Sequence, residues 1–267
     1  MSNQLLFYTS ATPVNLQRHR DWGLEHTGDF GFAGNTNSAP VMAVEFAKAA
    51  AEYTLIFAGD GNKVVPSAVL GIQNDSNLYV DDAGNWSSKY IPAFVRRYPF
   101  VFSSGDEGKT FTLCIDEDYA GLNQEGQGNR LFGEEGDRTD YLNGVLDFLK
   151  EYQTEYNRTQ LFCDKLVELD LLEPMQAQIK LKSGKQLSLT GFQSVSREKL
   201  NALAPEVLSD LAKMGALELI YIHLYSMKNF SDMIERVSVS LKKEEELTAL
   251  DSQKMSSLED LEPAGSA

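Results

Sequence analysis

The hydrophobic positions of this chain change their period once along its length. Up to about residue 140 they fall in short runs cut by turn residues, and beyond it they recur every three or four positions. In the first part, Leu5-Leu6-Phe7-Tyr8 is a short apolar run bounded by Ser10 and Pro13. The alanine-rich segment 45–53 carries Phe46 and Tyr53 seven apart, which predicts a helix with both rings on one face. Leu55 to Phe57 reads as a strand stopped by Gly59-Asp60-Gly61-Asn62, and segments 64–72 and 78–80 read as further strands around Asn74-Asp75-Ser76-Asn77. Segments 98–102 and 111–116 flank Ser103 to Gly108 and predict a β-hairpin. An antiparallel, meandering sheet accommodates them all.

Between 117 and 140, Gly121, Gly126, Gly128, Gly133 and Gly136 alternate with acidic residues, a composition that predicts a surface loop burying little. Leu142, Val145, Leu146, Leu149 and Tyr152, then Phe162, Leu166 and Leu169, follow helical spacing, so a helix is predicted from 141 to 172 with Pro174 ending it. Two alternating segments around Ser183-Gly184-Lys185 predict a hairpin over 176–192. Ser196 is placed to cap a helix from Arg197, Pro205 to open a second, and Gly215 to separate it from a third carrying Leu217, Ile220, Tyr221, Leu224 and Met227. The expected class is α+β: a mostly antiparallel β region with one helix over 1–140, and a helical region containing the hairpin over 141–240. Segment 241–267 reads as an acidic, disordered tail that adds little to stability.

Composition narrows the function classes. The chain has 267 residues, 42% hydrophobic and 24% charged, with 24 Lys and Arg against 39 Asp and Glu, a formal charge of −15. Such acidity argues against a nucleic-acid partner, whose phosphates need a dense basic face. No stretch reaches the roughly 20 apolar residues of a transmembrane helix. Met1-Ser2-Asn3-Gln4 offers no basic start to a secretion signal, so the cytoplasm is the expected address. Cys114 and Cys163 lie far apart and suggest neither a disulfide framework nor a metal cluster.

Several motifs lose to plainer readings. Gly105 to Thr110 imitates a phosphate-binding loop, but position 103 is Ser rather than Gly and the Lys-Thr opens a strand instead of a helix. Asp116 and Asp118 imitate a calcium loop whose fifth and twelfth positions would be Ala120 and Gln127, which lack the required carboxylates. His19-Arg20-Asp21 is half of an iron-binding triad, but His26 is too near and His223 falls on a helix. His19 reads instead as a capping or hydrogen-bonding residue, and His223 as a core histidine. No cofactor and no metal are expected.

One segment carries candidate chemistry. From Tyr90 to Phe102, aromatic and proline rings surround the adjacent Arg96 and Arg97. In an acidic protein such a pair is either a buried anchor or an anion site. A strand would send the two side chains to opposite faces, one inward to Asp116 or Glu117 and one outward to a ligand. A short helix begun by Pro92 would instead set them only about 100° apart. Arg96, Arg97, Tyr90, Tyr98 and His19 are the candidate binding residues, for a small anionic ligand or a protein partner; no catalytic residue is nominated.

The same segment, with Cys114-Ile115-Asp116-Glu117, Leu171-Leu172-Glu173-Pro174, Gly191-Phe192 and His223-Leu224-Tyr225-Ser226, resembles the SapC family of bacterial proteins. His19, Phe32-Ala33, Glu45-Phe46 and Asn77-Leu78-Tyr79-Val80 fall in the same order, and the resemblance spans residues 8–237. Where the family tends to have Tyr-Pro, this chain has Tyr53-Thr54. The resemblance carries over no catalytic residues. It implies an accessory or binding protein, linked by gene neighbourhood to TonB-dependent nutrient uptake. The family description also implies a surface-layer role, and a third possibility is an enzyme acting on a small anionic molecule or peptide. The peptide-transporter permease of the same name is unrelated.

Overall fold

A computed structural model describes residues 6–59, 63–105, 110–180, 186–239 and 241. In chain order these form β1 (Ala11–Pro13), α1 (Leu16–His19), β2 (Gly23–Leu24), β3 (Ser38–Pro40), α2 (Phe46–Ala49), β4 (Leu55–Ala58), β5 (Val65–Val69), α3 (Ala93–Arg96), β6 (Phe100–Gly105) and β7 (Thr110–Asp116). They continue with β8 (Leu122–Asn123), β9 (Asn129–Arg130), α4 (Asp140–Glu168), β10 (Leu172–Lys180), β11 (Gln186–Val195), α5 (Arg197–Asn201), α6 (Pro205–Lys213) and α7 (Ala216–Ser226). The chain is helical again over 230–239. The fold is α+β with antiparallel sheets, as the periodicity predicts.

The largest sheet has the order β10-β11-β4-β5-β3, so it draws strands from both sides of residue 140. Its two faces follow from strand alternation. Leu55 and Phe57 of β4 enter the main core with Phe46, Phe162, Leu166 and Ile220. Ile56 turns to the opposite face, where Phe192, Met233 and Val237 form a second core. A third core joins Leu24, Phe100, Ile115 and Leu131 to Leu142 and Leu149.

Helix α4 ties the third core to the first. Its 29 residues extend about 43 Å. Thr139 caps it, accepting a hydrogen bond from Leu142 N, and Asp140 complements the positive end of the helix dipole. Leu142 and Leu149 enter one core, while Tyr152, Phe162, Cys163 and Leu166 enter the other.

The predicted hairpins are present as β6–β7 and β10–β11. Gly105 ends one strand and Thr110 begins the next, so no helix follows the Lys-Thr pair. Gly215, at φ +72°, separates α6 from α7 in a backbone region that glycine enters without a Cβ clash.

Four local expectations are corrected. The helix over 45–53 is a 3-10 turn at Ala43–Glu45 followed by the short α2, after which single turns carry the chain to Tyr53 N, bonded to Ala49 O, with Phe46 and Tyr53 both in the main core. Segment 78–80 is not a strand beyond a Val80–Trp86 bridge: Asn77 accepts from Tyr79 N and donates to Ala33 O, drawing the backbone into a local turn. The glycine-rich stretch is not all loop, since β8 and β9 flank β2 and Leu131 and Phe132 are buried. Helix α4 stops at Glu168 and β10 begins at Leu172. Pro174 is tolerated there because β10 is an edge strand. Leu241 packs against the second core, and the remainder of the expected tail lies outside the described residues.

Candidate functional site

A cleft of about 330 Å³ opens between the turn at 42–48, the segment 90–96 and one face of α4. Phe148, Glu151, Tyr152 and Glu155 line its α4 wall at the i, i+3, i+4, i+7 spacing of a single helical face. Opposite them stand Val44, Glu45, Lys48, Tyr90 and Arg96.

Buried Glu45 holds two of these walls together. Its Oε2 accepts from Met42 N at 2.8 Å, and its Oε1 accepts from Ala93 N at 2.8 Å and from the Tyr90 hydroxyl at 2.7 Å. Ala43 N donates to Thr159 Oγ1 at 2.8 Å and fixes the same turn to α4. Burial, and then the hydrogen bond and charge of Glu45, hold the Tyr90 phenol well above its ordinary pKa, with Arg96 pulling the other way. Tyr90 therefore stays a proton donor to Glu45 at neutral pH.

The double arginine divides between this cleft and the core behind it. Its segment is the helix α3, opened after Pro92, and not a strand. Arg96 is exposed at the cleft, with Nε donating to Ile91 O at 3.0 Å and the guanidinium 5.4 Å from the centre of the Phe148 ring. Arg97 is buried, at 4.2 Å from the Phe94 ring centre, 5.1 Å from Tyr152 and 6.0 Å from Tyr8. One arginine faces inward and one outward, but helix and not strand geometry separates them.

The two carboxylates expected to meet the inward arginine have other partners. Asp116 accepts from Thr9 N, Ser10 N and the Tyr98 hydroxyl. Glu117 accepts from Arg18 Nε at 2.6 Å and from His19 Nε2 at 3.1 Å. The Arg18 hydrogen bond is the main cause holding the Glu117 carboxyl below its usual range.

Tyr90 and Arg96 are thus brought together, whereas the other candidates lie apart. Tyr98 stacks on Phe32 at 4.1 Å. His19 is fully buried, packed edge-on against Trp22 at 4.9 Å. Its Nδ1 lies 3.2 Å from both the N and the O of Asn15, and its Nε2 lies 3.1 Å from Glu117. The sequence reading missed Glu45, Lys48, Phe148, Glu151 and Glu155. Glu45 carried a signal, as an acidic residue heading an apolar segment; the α4 residues had none until their helix met the other walls.

The lining residues include no His, Cys, Ser or Thr; their polar groups are the carboxylates of Glu45, Glu151 and Glu155, the cations Lys48 and Arg96, and the phenols Tyr90 and Tyr152. The two thiols lie elsewhere, Cys163 pushed up to about 12 by burial and Cys114 raised by the same cause. His223 is fully buried, with Nε2 3.0 Å from Ser194 Oγ and accepting from Val195 N at 3.1 Å. Burial pushes its pKa down to about 4, and both Ser194 and His223 are shut away from solvent. No group of three or more His, Cys, Asp or Glu among the described residues could hold a metal ion. No helix among them is long and apolar enough to cross a membrane.

The family model of SapC matches residues 14–233, most of the chain. The chain belongs to the SapC family. All of the cleft lining falls within the SapC match, as do the Arg18–His19–Glu117 cluster and Arg97 with Phe94 and Tyr152, while Tyr8 lies before it. No curated protein and no solved structure matches the chain.

Proposed function

We propose that this SapC-family chain is a binding protein whose cleft takes a small, partly apolar ligand through an anionic group held by Arg96. The supporting observation is the placement of Arg96: alone of the double arginine it stands at an open cleft, seated over Phe148 beside the Tyr90 hydroxyl. Val44, Ala93 and Phe148 supply apolar walls for the rest of the ligand. Binding without turnover is the reading adopted, because an exposed cation beside apolar walls is what orients a small anionic molecule. The role is an accessory one, exercised in the cytoplasm.

The test is calorimetric titration and thermal shift of the full chain with octanoate and benzoate. A stabilising ligand raises Tm in proportion to its occupancy. Wild type should bind at least one of these carboxylates and Arg96→Ala should weaken it about tenfold. Equal affinity in the two proteins, or no binding by wild type, would overturn the reading. Recovery of the protein mainly in a washed outer-membrane or surface-layer fraction would overturn the cytoplasmic part.

A further inference from the structure

The cleft does not carry a single sign of charge. Lys48 and Arg96 share it with Glu45, Glu151 and Glu155. Glu45 is spent on Met42, Tyr90 and Ala93, and Glu155 pairs with Arg158 at 2.5 Å. Glu151 is exposed and, among the described residues, has no ion-pair partner. A site for a bare anion gains nothing from an open carboxylate on its wall, since like charges repel across a short distance.

The charges are also ordered along α4. The Arg96 guanidinium lies over Phe148, which fixes the cationic end of this wall. Glu151 and Glu155 follow on the same helical face, about 5 and 10 Å further along the axis. The hydrogen bond from Ala43 N to Thr159 closes the wall beyond Glu155.

Resting on the binding reading above, we infer that the cleft ligand is zwitterionic: an elongated molecule, such as a short peptide or an ω-amino acid, with its carboxylate on Arg96 and its ammonium group directed to Glu151. The apolar spacer crosses Phe148 and Val44. An ammonium group on Glu151 also offsets the repulsion that Glu151 imposes on the ligand carboxylate. Both charged contacts lie at an open cleft, so affinity should fall as salt is added.

The experiment titrates wild type, Arg96→Gln and Glu151→Gln with 5-aminopentanoate, 8-aminooctanoate, octanoate and octylamine by calorimetry. Circular dichroism and thermal melts verify that each variant is folded; both residues are exposed and should tolerate the change. At least one amino acid should bind wild type about tenfold more tightly than both octanoate and octylamine. Arg96→Gln should erase its advantage over octylamine, and Glu151→Gln its advantage over octanoate. If octanoate binds as tightly as both amino acids and only Arg96→Gln weakens it, the zwitterion inference is overturned while the anion-binding cleft stands. If octylamine binds best and Arg96→Gln changes nothing, or no probe binds wild type, both readings fall. An amino-acid advantage that Glu151→Gln leaves intact would also overturn the assignment of the ammonium site.

Discussion

Arg96 and Arg97 are neighbours in sequence and opposites in surroundings. Around Arg97, the charge is enclosed by aromatic rings: the guanidinium lies among Tyr8, Phe94 and Tyr152, and Tyr152 forms the partition between this core and the cleft. Around Arg96 the charge is left open to the cleft, with Nε donating to Ile91 O and the guanidinium over Phe148 beside Tyr90. A basic dipeptide therefore divides its labour when a short helix ends between a core and a cleft. The buried member keeps the partition in place, and the exposed member meets whatever enters.

The contrast can be broken by substitution, and the largest effect belongs to the carboxylate at the boundary. Glu45→Ala strands two buried backbone N–H groups and the Tyr90 hydroxyl, and should cost about 4 kcal/mol in urea unfolding. A loss below 1 kcal/mol would show that Glu45 does not hold the two walls. Next comes Arg97→Ala, which removes three ring contacts and leaves a void, for a loss of about 3 kcal/mol. If Arg97→Ala melted like wild type, the division between the two arginines would collapse.

A pH series sharpens the core side of the comparison. His223 is a base whose folded pKa is lowered to about 4 by burial, from an ordinary value near 6.5. The unfolded chain therefore binds this proton first. Its contribution is complete above pH 6.5 and is lost as pH falls toward 4, by about 3 kcal/mol. The Glu117 carboxyl, held low in the fold, pulls the same way in acid, so the decisive quantity is a difference between proteins. His223→Gln, able to accept the Val195 N–H without titrating, should show a shallower decline than wild type between pH 6.5 and 4. Parallel declines would mean that His223 is charged in the fold. The smallest effect is on the cleft side: Arg96→Ala should stay within about 0.5 kcal/mol of wild-type stability. A loss comparable to that of Arg97→Ala would return Arg96 to the fold and remove the support for its role as the anion contact.

How far each element was legible in the sequence depends on the range of the interactions that set it. The α4 stripe, the hairpins at β6–β7 and β10–β11, Pro205 at the start of α6 and Gly215 before α7 follow from local rules and are present. In the alanine-rich segment helix propensity and apolar spacing give the helical turns and the burial of Phe46 and Tyr53, but not the helix's length, since α2 spans only Phe46–Ala49. Pro174 suggested a helix end several residues late, since nothing local reveals that β10 will be an edge strand.

The sequence by itself determined the α+β class, the family, the choice of the Tyr90–Phe102 segment and the expectation that its two arginines would part. Only the tertiary structure decided the rest. It put Arg97 among Tyr8 and Tyr152, took Asp116 and Glu117 for other partners, and brought Glu45 and one face of α4 to the Tyr90–Arg96 segment. The physical reason is sequence separation. Periodicity and turn chemistry act over a few residues, whereas the cleft joins three segments spread from Met42 to Glu155, whose meeting is decided by which apolar faces bury one another.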